Sequence, residues 1–135
     1  MKENYDILIL EDHLGTLSVI FGVLRSLGGN FHPVVLSKSS QVKKLLNKSD
    51  LRFDVILLDH FCAEGRSFHA LDIKRFGAKK IIAMSASSVC NDELKRLGVK
   101  RIINKDVNKL DAFADKLAIL IKEVVSEELG HAAKD

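Results

Sequence analysis

The sequence predicts a doubly wound (βα)5 domain of the α/β class, built on a five-stranded parallel sheet. Three observations lead there. Short apolar runs alternate with longer amphipathic ones along the chain, the rhythm of strands separated by crossover helices. Three of the short runs are apolar on both faces, as strands are when helices cover both sides of a sheet. The 135 residues show no linker, repeat or low-complexity segment, so a single domain takes up the chain and can bury a core without disulfide or metal staples.

YDILIL (5–10) is the first strand. Leu17, Ile20, Phe21, Leu24 and Leu27 then recur at helical spacing before Gly28 and Gly29, a natural C-terminal stop. FHPVVL (31–36) is the second strand, and Pro33, which has no N–H for a ladder, places it at an edge. Ser39 and Ser40 can cap a short helix carrying Val42, Leu45 and Leu46. FDVILL (53–58) is the third strand, followed by a helix that begins with Phe68 and Leu71 and stops near Gly77. KIIAM (80–84) is the fourth strand; after it, Ser88 can cap a helix with Leu94 and Leu97 that ends at Gly98. RIIN (101–104) is the fifth. The last helix begins near Asn108 and carries Leu110, Phe113, Ala114, Leu117, Leu120, Ile121, Val124 and Val125, a stripe wider than one sheet contact needs, with Ile121 and Val125 read as extra core ahead of the alternative that they cover a neighbour or a partner. The domain is assigned to 1–130, with 131–135 as a frayed tail.

Composition removes several function classes. Apolar residues make up 47% and charged residues 29%, the balance of a globular chain rather than a disordered one. The net charge of +3 is small, lysine and arginine are dispersed and there is one tyrosine, so neither a basic arm nor an aromatic platform for nucleic acid stands out. Glu3, Asp6, Glu11 and Asp12 come too early for a signal-peptide core, and no run approaches the roughly 20 apolar residues of a membrane span. A cytoplasmic protein without membrane or nucleic-acid partners is expected. Cys62 and Cys90 lack metal-ligand spacing and read as free thiols.

The chemistry gathers where the strands end. In open parallel sheets, ligands bind outside the carboxyl ends of the strands, where the strand order reverses. Glu11 and Asp12 follow the first strand, Asp59 the third, Ser85 the fourth and Lys105 the fifth. One acid after a strand is commonly a solvated loop residue; four of five strand ends agreeing is a site. Carboxylates held this close repel one another unless a cation sits among them, and a hard ion with oxygen ligands, Mg²⁺, meets that need. A carboxylate beside such an ion can attack phosphorus, with the Lys105 ammonium offsetting charge on the transferred group. Ser85 can hydrogen-bond a phosphoryl oxygen, and Ala86 is small enough to leave the phosphate room.

ILILEDH, VILLDH, IIAMSAS and IINKD, in this order and spacing, resemble the receiver (REC) domain of two-component response regulators over essentially the whole chain. The resemblance implies a flavodoxin-like sheet of order 2-1-3-4-5. It implies Asp59 as phosphoacceptor, charged from a sensor histidine kinase or histidine phosphotransfer protein in a phosphorelay. Asp12 would bind Mg²⁺ directly, Glu11 mostly through water, and the Phe61 carbonyl would be a further ligand. Ser85 matches the hydroxyl switch position and Lys105 the family lysine. With no output domain after residue 135, a stand-alone receiver that signals through a downstream protein is expected, not an enzyme beyond its own phosphoryl acceptance and autodephosphorylation. Pairing of two copies through the face around the last two helices is permitted.

The sequence departs from the family in three places. Ile102 stands where an aromatic switch residue is usual, Asp106 replaces a common proline after the lysine, and HFCAEGRS after Asp59 lacks its usual proline and brings Gly65 closer. These departures support an alternative, a phosphorylation-independent protein-binding adaptor. A metal-dependent phosphohydrolase is weaker, because no cap segment interrupts the strands. His60 and Cys62 read as loop packing, since direct neighbours rarely converge on one ion. His13 reads as a residue at the start of the first helix, Cys90 as core, and Lys95, Lys100, Arg101 and Lys109 as a solvated basic face.

Overall fold

The computed structural model of the protein describes residues 4–47, 49–59, 71–85, 88–106 and 108–134. Its strands are β1 (Asn4–Leu10), β2 (Asn30–Leu36), β3 (Val55–Asp59), β4 (Ile81–Ser85) and β5 (Arg101–Asn104). All pairings are parallel and the order is β2-β1-β3-β4-β5. The helices are α1 (Leu14–Ser26), α2 (Ser39–Leu45), α3 (Ile73–Phe76), α4 (Ser88–Arg96) and α5 (Leu110–Lys134), with a 3-10 turn at Ala78–Lys80.

Side-chain alternation along the strands divides the core into two layers. Leu8, Leu10, Ile56, Leu58, Ile81 and Ala83 face one way, onto Val42, Leu46, Ile73, Phe76 and Leu94 of the α2, α3 and α4 side. Ile7, Ile9, Val55, Leu57, Ile82, Met84 and Ile103 face the other way, onto Ile20, Val23 and Leu24 of α1 and Phe113, Leu117 and Ile121 of α5. Every residue of β3 and β4 is buried, which is why both strands are apolar up to their last residues, Asp59 and Ser85. Ile121 and Val125 lie in the second layer, so the wide α5 stripe is core.

β2 is the edge strand that Pro33 requires. The Leu36 carbonyl accepts the Glu11 N–H at 3.2 Å, so even-numbered residues of β2 turn their polar groups toward β1. By alternation, Pro33 presents its missing donor to the outside.

Some boundaries differ from the sequence expectation. β3 begins at Val55 rather than at residue 53 because Asp54 uses its side chain in the ladder: Oδ2 accepts the Asp6 N–H at 2.8 Å while the Asp54 N–H donates to the Asp6 carbonyl at 2.7 Å. β3 and β4 each run one residue further than expected, through Asp59 and Ser85. Leu71 precedes α3, which starts at Ile73 behind an Asp72 cap; Phe68 lies outside the described residues. Gly28 and Gly98 stop α1 and α4 with φ of 72° and 92°, a region disfavoured for residues with a Cβ. α5 starts at Leu110 and runs through Lys134.

Arg101 does not belong to a solvated face. Its guanidinium binds Glu123 at 3.2 Å, Glu127 at 2.6 Å and the Lys79 carbonyl at 3.1 Å, tying α5 to β5. Lys95, Lys100 and Lys109 are exposed. Among the described residues, no helix is long and apolar enough to cross a membrane.

Candidate functional site

Strand register builds the site. Leu10 pairs with Leu58, so continuing one residue sets Glu11 beside Asp59 on adjacent strands, which lie about 4.8 Å apart. Alternation sends both side chains to the α1 and α5 face, in line with Ile9 and Leu57. The β4–β5 ladder also continues one step, the Lys105 N–H donating to the Ser85 carbonyl at 3.1 Å. Lys105 therefore shares the face of Ile103 and reaches back across the strand ends. Glu11 is fully buried and Asp59 is 2% exposed.

The Lys105 ammonium bridges the two acids. Its Nζ lies 2.6 Å from Glu11 Oε1 and 3.3 Å from Asp59 Oδ2. The other oxygen of Glu11 is tied down as well, because Oε2 accepts the main-chain N–H groups of Asp12 at 2.9 Å and His13 at 3.1 Å. Asp12 is exposed at the rim of the site. One carboxylate oxygen from each of Glu11, Asp12 and Asp59 lies within 4.8 Å of the others.

This crowding decides protonation. Burial, with the Glu11 charge added, pushes the Asp59 carboxyl up to about 7, and Lys105 offsets only part of the rise. Burial alone would lower the Lys105 ammonium, but the hydrogen bond to Glu11 and the charges of Asp59 and Glu11 outweigh it and hold Lys105 above its ordinary value. With all groups ionised, three carboxylates face one ammonium. Two negative charges are left over, and the donors are all hard oxygens with one acid open to water. That donor set fits a small hard divalent cation such as Mg²⁺ rather than a soft transition metal.

No protein-family profile matches the sequence, and no curated protein resembles it by sequence. Solved structures do match. A response regulator receiver domain protein from Clostridium thermocellum superposes with a TM-score of 0.68 at 18% identity, covering 92% of this chain and 96% of the other. The fold is that of a response-regulator receiver domain. The phosphorylated cyanobacterial phytochrome response regulator RcpA matches with a TM-score of 0.63 at 19% identity over 93% of this chain and 91% of its own. The receiver domain of the sensor histidine kinase PA1611 from Pseudomonas aeruginosa, which carries a magnesium ion in its active-site cleft, matches with a TM-score of 0.54 at 21% identity over 85% and 98%.

On this receiver fold, Glu11, Asp12, Asp59 and Lys105 come together. Ser85 ends β4, buried, and its carbonyl holds the Lys105 N–H; alternation aligns it with Ala83, on the opposite face of the sheet from Asp59. Phe61 and Ala86 lie outside the described residues, as do His60, Cys62 and the side chain of Cys90. Ile102 is half-buried against the layer under α2, α3 and α4. Asp106, in place of the common proline, closes a turn with its own carboxylate, Oδ1 accepting the Asn108 N–H at 2.9 Å. The sequence reading missed that His13 does more than begin a helix. Its main-chain N–H holds Glu11 and its ring caps α1; the available signal was a polar residue at the helix start followed two positions later by Gly15.

Proposed function

We propose that the chain is a phosphorylation-dependent receiver that accepts a phosphoryl group on Asp59 from a phosphohistidine of a sensor histidine kinase or histidine phosphotransfer protein. The observation that carries this is the Lys105 ammonium bridging Glu11 and Asp59 beside a third acid, Asp12. A carboxylate oxygen of Asp59 attacks phosphorus; the new P–O bond forms as the P–N bond breaks with its electron pair going to nitrogen, and the imidazole takes up one proton from solvent and leaves as the neutral ring. Lys105, already within reach of Asp59, offsets the negative charge of the acyl phosphate. The Ser85 hydroxyl would bond a phosphoryl oxygen only by turning around the end of β4, because alternation sets it on the face opposite Asp59. Held by Glu11, Asp12 and Asp59, Mg²⁺ would supply electrostatic stabilisation of the transferred group.

Resetting needs no external enzyme. Water attacks phosphorus, the bond to Asp59 breaks, inorganic phosphate leaves and the carboxylate is restored. The output is binding of a downstream protein in the cytoplasm; Lys105, which contacts Asp59 and whose N–H bonds the Ser85 carbonyl, links a change at Asp59 to the ends of β4 and β5. The magnesium-bound and phosphorylated structures named above support the same chemistry for their own chains.

The test is intact-mass analysis after incubation with Mg²⁺ and acetyl phosphate. Wild type gains one phosphoryl group only when Mg²⁺ is present, and Asp59→Asn gains none. Failure of the wild type under conditions that label a known receiver would reject phosphoacceptance and leave the phosphorylation-independent adaptor as the reading, with partner binding indifferent to Asp59→Asn.

A further inference from the structure

α1 begins without a hydroxyl or carboxylate cap. His13 occupies the N-cap in extended backbone, with φ −83° and ψ 115°, and its ring Nδ1 accepts the Thr16 N–H at 3.1 Å and lies 2.7 Å from Thr16 Oγ1. Seated between the Thr16 N–H and the Thr16 hydroxyl, Nδ1 holds the ring in one orientation on the cap. Thr16 is fully buried, so the ring satisfies groups that have little access to water. The ring needs a particular neighbour. A Cβ on Gly15 would stand 2.9 Å from His13 Cε1, so a side chain there would force the imidazole to shift from its present seat.

The same residue controls an acid of the site through its backbone. The His13 N–H and the Asp12 N–H both donate to Glu11 Oε2, which leaves Oε1 aimed at Lys105. A carboxylate turns freely about its last bond unless something fixes one oxygen; here two main-chain donors do, and one of them belongs to the capping residue.

We infer that His13 is a positioning residue for the acid cluster: its ring, seated over Gly15, locks the main-chain N–H that orients Glu11 for a divalent cation. The inference rests on the reading of Glu11, Asp12 and Asp59 as a metal site, and it assigns Gly15 the job of making room for the ring. Losing a group that orients a ligand from outside the metal's contacts typically weakens metal binding by about 10- to 100-fold.

The test uses Mn²⁺ alone as the probe, followed by the electron paramagnetic resonance of the free ion, with amide hydrogen exchange at His13 as a second readout. Gly15→Ala is expected to bind Mn²⁺ about tenfold more weakly and to exchange its His13 amide faster, although alanine is the better helix former. His13→Ser supplies a hydroxyl cap without the ring and is expected to bind close to wild type. In the His13→Ser background, Gly15→Ala is expected to cost nothing. Should Gly15→Ala fail to fold, His13→Ala takes its place, with weakened binding that His13→Ser restores. Wild-type affinity in Gly15→Ala, or an equal loss in both backgrounds, would overturn the role of His13 while leaving the metal site standing. No Mn²⁺ binding by the wild type would overturn the metal site itself, and the inference with it.

Discussion

Replacing Asp59 with asparagine is expected to stabilise the protein in the absence of metal, by an amount that grows with pH. Burial and the Glu11 charge raise the Asp59 carboxyl from 3.8 to about 7. A raised carboxyl contributes stability that is fully present below its unfolded value, near pH 3.8, and is lost as pH climbs through its folded value, near pH 7. Asparagine resembles the protonated acid and does not titrate. The gap between variant and wild type therefore opens at about 1.4 kcal/mol per pH unit across that window and then levels off, reaching on the order of 4 kcal/mol above neutrality. The chain has no tryptophan, so urea unfolding followed by far-ultraviolet circular dichroism, from about pH 4.5 to about pH 8.5 in EDTA, is the suitable assay. Saturating Mg²⁺ should narrow the gap, because an ion bound at about 100 times its Kd adds about 2.7 kcal/mol to the state that binds it, and the variant lacks one of its ligands. An asparagine variant no more stable than wild type at pH 8, or a gap of equal size at both ends of the range, would refute the account of the crowded acids.

Lys105→Ala should have the opposite sign. It strips the ammonium from two buried carboxylates and is expected to cost roughly 3 kcal/mol in EDTA, with Mg²⁺ recovering more stability than it adds to wild type, both read by urea unfolding. Ile121→Ala removes a fully buried side chain from the layer beneath α5 and should cost about 2 to 5 kcal/mol; a near-neutral result would return the α5 stripe to the role of an interface. Arg101→Ala gives up two bonds to exposed glutamates and one to a carbonyl. A loss of about 1 kcal/mol is expected, reduced in high salt, as thermal unfolding at two ionic strengths would show.

The acid cluster was legible because a parallel sheet fixes where strand ends meet. Once the third strand was aligned with the first, a carboxylate one residue past Leu10 had to fall near one following Leu58. Pro33 likewise announced the edge strand through a missing donor. What the sequence could not carry is the use of side chains in place of backbone. Asp54 reads as a strand residue in FDVILL, yet it spends its carboxylate on Asp6 and delays the ladder. Arg101 reads as one more surface cation, and only the fold brings Glu123 and Glu127, a helix away in sequence, onto its guanidinium. His13 is a partial miss: its place at the start of α1 was legible, but the bond from its ring to Thr16 and from its N–H to Glu11 was not.

The outward turn of Pro33 bears on how the chain behaves in a crowd. An exposed sheet margin is a template onto which another molecule's strand can zip, and β2 is a seven-residue margin carrying the half-exposed pair Val34 and Val35. Its outer row can offer N–H groups only from Phe31 and Val35, on either side of a proline, so an incoming strand meets an interrupted register. Growth by sheet extension at this edge should therefore be disfavoured, and Pro33→Val, which completes the row, should speed thioflavin-positive aggregation without moving the acids at the far ends of the strands.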